Sequence, residues 1–98
     1  MKYGDDIVWD KTPEVIEGHC KLELIPGDLY EIHYGIHQGK YVYEGKVSKD
    51  DPNHIYSRGQ HMFRKVETGE LTFGYYGHTS PYEFTSIVRH INKQGERI

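Results

Sequence analysis

With 98 residues and 11.5 kDa the chain has room for one hydrophobic core, so residues 1–98 are expected to form a single domain. It has no alanine and only four leucines against fifteen isoleucines and valines, which excludes a helical bundle and favours strands. A net charge of −3 with no long basic run argues against nonspecific binding of duplex nucleic acid as the main activity.

The first 19 residues read as an N-terminal arm. Within it Thr12, Pro13, Glu14 and Gly18 supply an N-cap, an N1 proline and a terminating glycine, the pattern of one short helical turn. Residues 20–76 are expected to form the sheet. Cys20–Ile25 alternates as a first strand and leaves through the Pro26-Gly27-Asp28 turn. Tyr30, Ile32, Tyr34 and Ile36 then share one side of a strand, with Glu31, His33, Gly35 and His37 on the other. A three-residue loop at His37-Gln38-Gly39 would return the chain through Lys40–Val47, pairing Tyr34 with Val42 and His33 with Tyr43.

Lys49–Asn53 is the strongest turn cluster and opens a long loop reaching Gln60. A second hairpin follows, Gln60–Val66 and Glu70–Tyr76, with Phe63 opposite Phe73 and Lys65 opposite Leu71. Its inward candidates are Phe63, Leu71, Phe73 and Tyr75. Ser80, Pro81 and Glu83 form a capping box, and Phe84, Ile87, Val88 and Ile91 follow at helical spacing, so a helix is expected over 80–93. The whole reads as a β-rich α+β fold: about five strands in a twisted antiparallel sheet or half-rolled barrel, with one C-terminal helix. Gly35, Gly45, Gly74 and Gly77 are placed where bulges and bends would curl it.

No apolar run approaches the roughly 20 residues of a membrane span, and Asp5 and Asp6 stand where a signal peptide needs basic residues, so a cytoplasmic chain is expected. The single cysteine, Cys20, excludes an intrachain disulfide framework. It neighbours His19, but consecutive strand residues point to opposite faces, which makes Cys20 a small buried hydrophobe rather than an activated nucleophile. His33 and His37 lack the helix and glutamate of a zinc-protease motif, and His54, His61 and His78 suit surface hydrogen bonding better than metal binding. With no catalytic motif in view, neither a catalytic residue, a metal nor a cofactor is assigned.

The best binding candidate is the acid-free segment His54–Lys65, where Tyr56, Arg58, His61, Arg64 and Lys65 interleave rings and cations. His33, Tyr41 and Tyr43 extend it as an exposed aromatic surface on the first hairpin. These eight residues suit a nucleotide-type or phosphate-bearing ligand and define a noncatalytic binding protein. The alternative is an inhibitor that docks on a host protein, and a small hydrolase stands further off. A lean core and uncovered sheet edges point to a homo-oligomer. In composition, being short, alanine-free and rich in tyrosine and glycine, the chain resembles small accessory proteins of bacteriophages, which implies either inhibition of a host enzyme or sequestration of a nucleotide signal.

Overall fold

The computed structural model describes residues 6–75, 80–92 and 94. Among them the chain forms β1 (Trp9–Asp10), β2 (Glu14–Glu17), β3 (Lys21–Leu24), β4 (Leu29–Ile32), β5 (Gly39–Val47), β6 (His61–Lys65), β7 (Leu71–Tyr75), α1 (Pro81–Ile87) and β8 (Val88–Ile91). The large sheet is antiparallel in the order β7-β6-β5-β4-β8, with β1 beside the far half of β5, and β2 and β3 form a separate two-stranded sheet. This is the β-rich α+β class with its helix near the C-terminus, and the described strands leave the sheet open rather than closed as a barrel.

Four local expectations are corrected. The segment around Pro13 is a strand: Glu14 pairs with Leu24 and Ile16 with Leu22, while Ile16 packs against the core. Four residues ending in Val15-Ile16-Glu17 cannot repay helix nucleation, whereas pairing with β3 satisfies their backbone directly.

The helix at residue 80 starts where expected, at Pro81, but stops at Ile87. The Ser80 side chain makes no capping bond; its carbonyl accepts from Phe84 N–H at 3.1 Å. From Val88 the chain is a strand pairing with β4, Ile32 opposite Val88 and Leu29 opposite Ile91. Phe84, Val88 and Ile91 are buried as the helical spacing implied, but the β-branched pair at Val88 and Ile91 buries equally well from a strand, and β4 offers an open edge.

The first hairpin differs most. β4 ends at Ile32, His33 N–H donates to Ile87 O at 2.7 Å, and Gly35–His37 forms a 3-10 turn with Gly35 in the left-handed region at φ +49°. Register follows from that longer connection: Tyr30 faces Tyr41 and Ile32 faces Gly39. Tyr34 and Ile36 therefore lie exposed, and Tyr41 and Tyr43 turn inward with no exposed surface. Buried tyrosines need partners for their hydroxyls, and each has one. Tyr41 donates to His37 O at 2.7 Å, Tyr43 meets His61 Nδ1 at 2.7 Å, and Tyr30 donates to Glu23 O while accepting from Ile25 N–H. Burial pushes the Tyr30 hydroxyl up to about 12.

The second hairpin holds Phe63 opposite Phe73 as expected, but a register shift sets Leu71 against Arg64 instead of Lys65. Phe63 is buried and Leu71 is half-buried; the side chains of Phe73 and Tyr75, and all of Tyr76, Gly77 and His78, lie outside the described residues. Gly45 does mark a bulge, between Tyr43 and Gly45. Its φ is +123°, and a Cβ there would come within 2.8 Å of Asp10 O, so only glycine lets β1 close on β5. The main core gathers Leu22, Leu24, Tyr30, Ile32, Tyr41, Tyr43, Phe63, Phe84 and Val88, and a smaller cluster of Ile7, Val47 and Met62 closes the other end.

Candidate functional site

The eight residues expected to bind ligand do not meet on one surface. Tyr41 and Tyr43 are core residues, which corrects the exposed aromatic face: the alternation Lys40, Glu44, Lys46 on one side of β5 sends the tyrosines inward. His61 is also buried, 4 % exposed, with Nδ1 on Tyr43 and Nε2 at 3.4 Å from Glu14. Glu14 also bonds Lys46, so β2 is tied to β5 and β6 through one carboxylate. Burial pushes the His61 imidazole down, only partly opposed by Glu14. The Tyr43 hydroxyl is pushed up by its burial first and by Glu14 second.

The two arginines are committed to internal acceptors. The Arg58 guanidinium donates to the Asp51 carbonyl through Nε, at 2.8 Å, and Nη2. Asp51, fully buried, takes Val8 N–H on Oδ2 and the N–H groups of Asn53 and His54 on Oδ1. Burial opposes its ionisation, but these backbone donors outweigh burial and hold the carboxyl well below the usual carboxylate range. The long loop and the N-terminal arm are thus organised around one aspartate. Arg64 donates to Glu44 Oε1 and Gly69 O, each at 2.8 Å. Tyr56 is 90 % exposed at the loop tip, His33 pairs with Glu31 at the end of β4, and Lys65 lies over Gly39 at the opposite end of β6. His61 and Lys65 alone are separated by roughly 13 Å of strand, so a single small ligand cannot touch the set.

A second acid-free region is concave. A cleft of about 510 Å³ opens between the start of β3 and the α1–β8 segment. His19, Cys20, Lys21 and Leu22 form one wall, and Thr85, Ser86, Val88, Arg89 and His90 the other. Its geometry is fixed by contact between the β2–β3 turn and the helix. His19 N–H donates to Thr85 Oγ1 at 3.0 Å, and that buried hydroxyl donates in turn to Tyr82 O. The His19 ring stands edge-on to Tyr82 with centroids 5.2 Å apart. Gly18 lets the turn come this close, because a Cβ would overlap Pro81 O and Thr85 Oγ1.

The floor is apolar, from buried Leu22 and Val88, and the walls carry cations. Arg89 Nη1 donates to Thr85 O and Ser86 O, each at 3.2 Å, so its guanidinium is held at the carboxyl end of α1. Lys21 has a 3.7 Å ion pair with Glu17, but the side chains are 78 % and 68 % exposed, and such a pair binds weakly. His90 lies flat on Tyr30, centroids 4.7 Å apart and planes 14° apart, with Nε2 at 2.9 Å from Asp28 Oδ2. No carboxylate lines the cleft among the described residues. Cys20 is exposed at its rim, a correction to the buried thiol expected, because the strand begins only at Lys21.

These lining residues escaped the sequence reading. The signal was present: Phe84–Gly95 is as free of acids as His54–Lys65, and it carries Arg89 and His90. What the sequence could not supply is the long-range packing of residues 19–22 against 85–90. Among the described residues no group of three or more His, Cys, Asp or Glu side chains is arranged to hold a metal ion, and no helix is long and apolar enough to cross a membrane. Comparison with protein-family models, with curated proteins and with solved structures finds no match to this chain, so its function is read from these groups alone.

Proposed function

We propose that the protein is a noncatalytic binding module that captures a phosphate-bearing small molecule of nucleotide size in the cleft between β3 and α1–β8. The observation that carries this reading is the placement of Lys21 and Arg89 on the two walls above an apolar floor, with no carboxylate in the lining. Ligand cavities commonly enclose about 300 to 1,000 Å³, and an apolar bed with a few convergent polar groups is their usual build. Arginine and lysine supply charge-assisted donors for an anion, and the Leu22 and Val88 floor accommodates an uncharged remainder.

The test is calorimetry against mono-, di- and cyclic nucleotides at low salt. Charge-assisted contacts contribute roughly 1.5 to 3 kcal/mol each, so Lys21→Ala and Arg89→Ala should each weaken binding about tenfold or more. Affinity should also fall with added salt. Absence of binding by every nucleotide at millimolar concentration would refute the reading. A protein partner is the second reading, favoured by Ile36 and Tyr56, each 90 % exposed at opposite ends of the sheet. Pull-down from a bacterial lysate with Ile36→Ser and Tyr56→Ser controls addresses it. The proposed setting is the cytoplasm, as a homo-oligomer; light scattering that returned 11.5 kDa at high micromolar concentration would reject the oligomer.

A further inference from the structure

We propose that anion capture in this cleft is coupled to protonation of His90, and that Asp28 is the positioning residue that makes the coupling work. The proposal rests on the anion-binding reading above and adds its regulation by pH. Asp28 is not part of the cleft lining. It is anchored by its own backbone, donating to Ile25 O at 3.0 Å and accepting from Tyr43 N–H at 3.2 Å. From that fixed point its Oδ2 reaches His90 Nε2 at 2.9 Å, while the Tyr30 ring supports the flat of the imidazole. An ionised carboxylate only accepts, so Nε2 carries the hydrogen. The atom whose state can change is Nδ1. In the neutral ring it presents a lone pair, which repels an anion; in the charged ring it presents a second N–H and a full positive charge.

The groups facing His90 come from four elements. The turn before β4 gives Asp28 and β4 gives Tyr30, its ladder partner; Arg89 on its own strand and His19, Cys20 and Lys21 on the β3 wall share the cleft lining, and Glu31 stands opposite Arg89 in the β4–β8 ladder. Helix α1 contributes Thr85 and Ser86 to the cleft, neither of them ionisable. An anion drawn in by Lys21 and Arg89 adds its charge to that of Asp28 and selects the imidazolium, which holds the anion on one side and the carboxylate on the other. Linkage is reciprocal: if the anion favours the proton, removing the proton must weaken the anion. Asp28 thus acts on the ligand through His90, without touching it.

Sulfate is the probe, because its charge is constant over the range in which imidazole titrates. It is titrated into isotopically labelled protein at constant ionic strength between about pH 6 and pH 8.5, following backbone amides and the His90 ring nitrogens by NMR. The expected result is an affinity that weakens as pH rises, by no more than about tenfold per unit for one linked proton, with Nδ1 gaining its proton as sulfate binds. Asp28→Asn keeps an acceptor for Nε2 but removes the charge that favours the imidazolium; at neutral pH it should bind sulfate more weakly, and the pH range over which affinity falls should move downward. Should that variant fail to fold, His90→Gln is the second, expected to bind with a flat pH profile. A pH-independent affinity, or a pH profile that does not move in Asp28→Asn, overturns the coupling while leaving the cleft as an anion site. No sulfate binding at any pH overturns both.

Discussion

The two acid-free regions contrast in how their cations are used. Between His54 and Lys65 the positive groups hold the fold together: Arg58 closes the Asp51 loop, Arg64 is fixed by Glu44 and Gly69, and His61 is sealed between Tyr43 and Glu14. At the cleft the cations stand on a concave surface. Among the described residues Arg89 donates to the carbonyls of Thr85, Ser86 and Val88, and Lys21 pairs with the exposed Glu17. Charge density in a sequence therefore does not by itself mark a site: both Arg58 and Arg89 bond backbone carbonyls, and what separates them is that Arg89 lines a concavity while Arg58 closes a loop. Substitutions in the first region should change stability and spare binding, and substitutions in the second should do the reverse.

The largest effect belongs to Tyr43→Ala, which empties a fully buried aromatic position and strands His61 Nδ1. It should cost about 3 to 5 kcal/mol in urea denaturation, close to the whole stability of a small domain. Were Tyr43 instead a surface ring that stacks on ligand, the loss would be in affinity and the denaturation midpoint would hold. Next comes Asp51→Asn. The new amide sets a donor against at least one of the N–H groups of Val8, Asn53 and His54, and the melting temperature should fall by about 10 °C. Because the Asp51 carboxyl is held low in the folded state, its contribution is present above the unfolded value of about 4 and is lost as pH falls through the folded one. The variant should therefore show a weaker acid transition than the parent.

How much of this contrast was legible before folding depends on which pattern one follows. Strand alternation carried correct information within β5: Lys40, Glu44 and Lys46 on one side already assign Tyr41, Tyr43 and Val47 to the core. Turn length gave the wrong register for the same strand, since nothing local announces that β4 ends at Ile32, where the backbone of His33 turns to Ile87. Gly45 was readable as a bulge because a glycine inside a strand pattern marks one, and Phe63 opposite Phe73 as a pair because the second hairpin is short-range. At the C-terminus the apolar set Phe84, Val88 and Ile91 was identified correctly, but helix and strand bury it equally, and the open edge of β4 decides. The cleft was not legible. Its two walls lie more than sixty residues apart in sequence, and tertiary contacts such as His19 on Thr85 and Tyr82 bring them together.

Smaller effects sharpen the same boundary. Burial lowers the His61 imidazole, so the unfolded chain takes up that proton first. Stability should be full above about pH 6.5 and decline below it, by at most about 1.4 kcal/mol per pH unit. His61→Gln should flatten this limb when denaturation midpoints are compared across the range. Smallest of all is Arg64→Ala, which breaks a partly exposed pair with Glu44 and should cost under about 1 kcal/mol, with nucleotide affinity unchanged in calorimetry. A tenfold loss of affinity there would move the site back to β6.

The cleft's claim is tested most directly by amide NMR during titration with a nucleoside monophosphate at low salt. Dose-dependent shifts are expected to centre on His19–Leu22 and Thr85–His90, with the amides of Tyr56–Lys65 still. Shifts centred on Tyr56–Lys65 with the cleft amides still would contradict it.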